Sequence, residues 1–67
     1  MINNDIELQA ARERVTKLED VLISMRRTET PANYALMSKS YLLEIEKMQG
    51  EIVGYLAQVL EPAHAVA

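Results

Sequence analysis

Arg26-Arg27-Thr28-Glu29-Thr30-Pro31-Ala32-Asn33-Tyr34 is the stretch of this 67-residue chain in which one helical pattern stops and another begins. Pro31 restricts Thr30 to extended geometry and suits the first position of a new helix, which makes Thr30 its cap. So short a break forces the helices on either side to run antiparallel.

Upstream of the break, Leu8, Ala11, Val15, Leu18, Leu22 and Met25 recur at alternating steps of three and four, which holds an apolar seam on one helical face. Asn3 and Asn4 suit a helix cap, and Glu7 follows Asn4 by three as the reciprocal member of a capping box, so helix one starts near residue 4. Arg12, Glu13, Lys17, Glu19 and Asp20 turn outward as a solvated face, with Glu13 and Lys17 four apart in the favourable order. Downstream, Tyr34, Met37, Tyr41, Ile45, Met48, Ile52, Tyr55 and Val59 line one face of helix two, until Pro62 and the small residues of the tail end it. The predicted fold is all-α, an antiparallel helical hairpin of helices at about 4–28 and 31–61, roughly 36 Å and 45 Å long, in a single domain over 1–67.

Helix two carries more apolar surface than one neighbour can cover. Leu42, Val53, Leu56 and Leu60 sit beside its seam, and Leu36 and Leu43 project from nearly the opposite face, close to Gly50, Gly54 and Ala57. A helix apolar on several sides is normally a buried one. A chain this short has a thin core, and with no cysteine it can form neither a disulfide nor a thiolate metal site. Association is the remaining source of stability, and a homodimeric four-helix bundle is the simplest form of it. The residues expected to carry the assembly are Leu8, Val15, Leu18, Leu22, Met37, Tyr41, Ile45, Met48, Ile52, Tyr55, Leu56 and Val59. Gly50, Gly54 and Ala57 form a small-residue strip that would let a second backbone approach closely.

Other residue types point away from chemistry. His64 stands alone beyond Pro62, with no second imidazole, thiol or seryl nucleophile placed to act with it. Glu44, Glu46 and Glu51 lack the Glu-x-x-His spacing of di-iron bundles and read as solvated residues or partners of Lys47. Tyr34, Tyr41 and Tyr55 have seam spacing and read as packing groups before stacking platforms, and Met25, Met37 and Met48 as adaptable core filler. No catalytic, cofactor or metal residue is assigned, and the expectation is a non-enzymatic protein.

The formal charge of −3 and the pI near 5.0 oppose a general affinity for nucleic acid. Arg26 and Arg27 close helix one, where positive charge suits the helix dipole. With Lys39 they are the candidates for a local phosphate contact, which makes a small dimeric RNA-binding bundle with a basic hairpin tip the alternative reading. No apolar run approaches the ~20 residues of a membrane span, and the first residues lack the basic-then-apolar order of a secretory signal, so a cytoplasmic location is expected.

The opening Met1-Ile2-Asn3-Asn4, the Leu18 to Leu22 seam, the Glu44-Ile45 pair and the closing Glu51-Ile52-x-x-Tyr55 together resemble the N-terminal helical hairpin of helix-turn-helix antitoxins of the host-inhibition-of-growth type. The resemblance spans nearly all of residues 1 to 60. In that family a DNA-binding domain usually follows, and this chain stops before one begins. The resemblance therefore implies a stand-alone regulatory or accessory hairpin of the bacterial cytoplasm that contacts a regulator or toxin by helix pairing. By architecture the chain is also similar to the dimeric hairpin bundle that binds paired RNA loops in plasmid copy-number control.

Overall fold

Two helices, α1 (Asp5–Thr28) and α2 (Pro31–Leu56), make up most of residues 1–58, the part of the chain that the computed structural model describes. Each starts where a side chain can satisfy a free backbone donor. Asn4 is extended at φ −156°, and its Oδ1 accepts a hydrogen bond of 2.8 Å from the Glu7 N–H. Glu7 Oε1 in turn accepts from the Asn3 N–H at 2.8 Å, one residue earlier than the reciprocal bond of a capping box. Thr30 Oγ1 accepts from the Asn33 N–H at 3.2 Å, and Pro31 follows at the first helical position, where its missing donor costs nothing. Asp5 and Glu7 in the first turn of α1, and Arg26 and Arg27 in its last, complement the helix dipole.

The helices pack against each other in antiparallel register, so residues equally distant from the Glu29–Thr30 turn come level. Two polar contacts mark that register: Arg14 Nε lies 3.8 Å from Glu44 Oε2, and the Tyr55 hydroxyl donates to Asp5 Oδ1. Val15 is thereby level with Ile45, Leu18 with Tyr41, Leu22 with Ser38 and Ala11 with Met48. Val15, Leu22 and Ile45 form the buried cluster, and Leu18, Met25, Tyr34, Tyr41, Met48 and Ile52 pack around it. Large meets small at two of these levels, Leu22 opposite Ser38 and Met48 opposite Ala11.

Three features depart from the reading of the sequence. Met37 is 45% exposed, and the seam position expected for it belongs to Ser38, which is 3% exposed. The observed seam of α2 is Tyr34, Ser38, Tyr41, Ile45, Met48, Ile52, Tyr55, an unbroken alternation of four and three. Met37 falls off that stripe despite its apolar side chain. Secondly, α2 ends at Leu56, short of the expected residue 61, with Ala57 as its cap. Its partner helix begins at Asp5, level with Tyr55, so beyond that point α1 offers α2 no further surface, and helices owe most of their stability to packing. Val59, Leu60, Pro62 and His64 lie outside the described residues. Thirdly, Ile2 is buried although it precedes α1. The Met1 ammonium lies 3.9 Å from Glu51 Oε1, which shows the chain start folding back over the last turns of α2.

No helix among the described residues is long and apolar enough to cross a membrane.

Candidate functional site

At 100° per residue, the face of α2 that meets α1 is centred near Ile45 and Ile52, and a second apolar face lies on its far side. Leu36 is 70% and Leu43 68% exposed there, and Leu42 and Val53 are exposed on the flank that joins the two faces. Added Cβ atoms at Gly50 and Gly54 would meet nothing within 4 Å, so the hairpin itself gives no steric reason for glycine at either position. Each costs a helix about 1 kcal/mol relative to alanine.

The two flanks of the hairpin differ. On one, the Arg14–Glu44 pair bridges the helices and the Met1–Glu51 pair ties the chain start to α2, each between a well-exposed cation and a partly exposed carboxylate and so worth little on its own. Glu44 thus pairs across the hairpin rather than with Lys47. On the other flank a groove runs between α1 and α2, lined by Leu22, Ile23, Arg26, Tyr34, Leu42 and Ile45 among others. It continues past Val15, Thr16, Gln49, Ile52 and Val53. Ile23, which falls outside the periodic seam of α1, is exposed at its rim.

The residues expected to carry an assembly divide between two settings. Val15, Leu18, Leu22, Tyr41, Ile45, Met48 and Ile52 belong to the hairpin's own core, and Leu8 and Tyr55 are partly buried at its open end. Met37 and Leu56 face outward. Val59 falls outside the described residues. Of the basic residues, Arg26 and Arg27 stand exposed on the last turn of α1, where Arg26 shares a surface recess with Glu29, Pro31 and Tyr34. Lys39 is exposed on α2, roughly half a turn of helix from the seam residue Tyr41 and so directed away from α1. The structure therefore does not gather the three on one face.

The open end of the hairpin is closed by Tyr55 and Asp5, whose hydrogen bond is 2.5 Å long. The carboxylate that accepts this bond raises the tyrosine pKa above its ordinary value, and desolvation and the nearby negative charge act in the same direction. Among the described residues no three His, Cys, Asp or Glu side chains gather to hold a metal ion. Compared with protein-family models, curated proteins and solved structures, the chain matches none.

Proposed function

We propose that this chain is a non-enzymatic interaction module, a helical hairpin that self-associates through the apolar surface of α2 that α1 leaves uncovered. What supports the reading is the exposure of Leu36, Leu42, Leu43 and Val53 on a helix whose opposite face is already packed, with Leu56 exposed at its end. Contiguous apolar surface of this kind marks a site of protein contact. A homodimer is the simplest closed assembly, and two hairpins joined through their α2 helices make a four-helix unit with the more polar α1 helices outside. The resemblance to antitoxin hairpins extends the reading to an accessory of a transcriptional regulator or toxin–antitoxin pair in the bacterial cytoplasm, reached by helix pairing.

Light scattering on the purified protein at micromolar concentration tests the association. A mass of twice 7.6 kDa supports it. A helical monomer at every accessible concentration removes it.

A further inference from the structure

The apolar face of α2 carries a charge pattern that constrains how another helix can lie on it. The arc from Leu42 round to Leu36 covers about a third of the helix circumference. It contains alanines, leucines, Val53 and the two glycines, and just two charged residues, Lys39 and Glu46. Both are exposed, and neither has an ion-pair partner among the described residues. They stand seven residues apart on the same line of the helix, two opposite charges set in leucine-rich surface.

We propose that a second copy of this chain packs on this face with α2 antiparallel to α2, about a two-fold axis that passes between Leu42 and Leu43. In that register Lys39 of each copy meets Glu46 of the other, so one symmetry operation forms two ion pairs. A parallel pairing in register would instead set Lys39 against Lys39 and Glu46 against Glu46, which like-charge repulsion disfavours. The leucines at the axis pack on their own symmetry mates. Leu36 comes level with the Gln49–Gly50 step of the second copy, where the missing Cβ leaves room for it, and Val53 comes level with Ala32. Large therefore meets small away from the axis, which accounts for a glycine that the isolated hairpin does not require. Lys47 lies outside the arc and takes no part.

This register rests on the self-association proposed above, and charge exchange tests the two separately. Sedimentation equilibrium is run on the wild type, Lys39→Glu, Glu46→Lys, the double exchange, and Lys47→Glu, with helicity checked by circular dichroism. Lys47→Glu changes the net charge as Lys39→Glu does. Each single reversal at 39 or 46 weakens the dimer by about tenfold or more, because symmetry creates two repulsive pairs, and the double exchange recovers affinity to within about threefold. Lys47→Glu leaves it unchanged. A dimer indifferent to the single reversals, or not recovered by the double exchange, overturns this register while leaving self-association standing. A wild type that is monomeric throughout overturns both.

Discussion

Ser38 is the most buried side chain among the described residues, and it is a serine in a seam of leucines, isoleucines and tyrosines. Its size explains its place: level with Leu22, it lets the helices close around a large partner. Ser38→Leu therefore overfills the level and costs about 1–3 kcal/mol, the range of insertions into packed cores, visible as a lower melting temperature. An unchanged melting temperature would mean that the seam tolerates a large side chain here and that packing at this level is loose. Gly50 and Gly54 make the opposite case. Since the hairpin offers no atom for their Cβ to strike, alanine at both positions stabilises α2 in dilute solution by up to about 1 kcal/mol each, read as higher helical content. The same double variant lowers the dimer fraction if a second backbone approaches Gly50. A dimer fraction that holds would place the glycines outside the interface.

The elements are held at their ends by devices of differing visibility. Both caps and the turn were legible in the sequence, because Asn4, Thr30 and Pro31 act within a few residues of themselves. The α1 seam was legible for the same reason, its apolar residues marking every position of the stripe. Ser38 was not, because a serine carries no apolar mark of its place in the stripe and the adjacent Met37 is the more hydrophobic residue. Ile2 lies before any periodic pattern and has no sequence signal. The Arg14–Glu44 and Asp5–Tyr55 contacts depend on the register between helices, which no local pattern contains, and the end of α2 depends on where its partner runs out. The Asp5–Tyr55 bond also carries a pH signature. The fold favours the neutral phenol, so its contribution is complete below the unfolded tyrosine value of about 10 and is lost as pH rises through the higher folded value. Melting temperature should therefore fall more steeply above pH 10 in the wild type than in Tyr55→Phe, which starts from a lower value at neutral pH. Parallel profiles would show that this end of the hairpin contributes no stability through the bond.

At the scale of the whole molecule, two helices sharing one seam leave an unusual balance: no side chain among the described residues is fully buried, while leucines on α2 remain in water. Most contacts of a helical hairpin lie within its helices, so folding should be fast, but its stability is limited by the small area that one seam can cover. The second face of α2 supplies the missing burial when another copy covers it, and stability then becomes a function of concentration through mass action. The direct measurement is the melting temperature by circular dichroism across a wide dilution series. It should rise steadily with protein concentration, as it does when folding and association are one equilibrium. A melting temperature that stays constant from the most dilute to the most concentrated sample, with full helix throughout, would contradict the account and leave α2 with a face that nothing of its own kind covers.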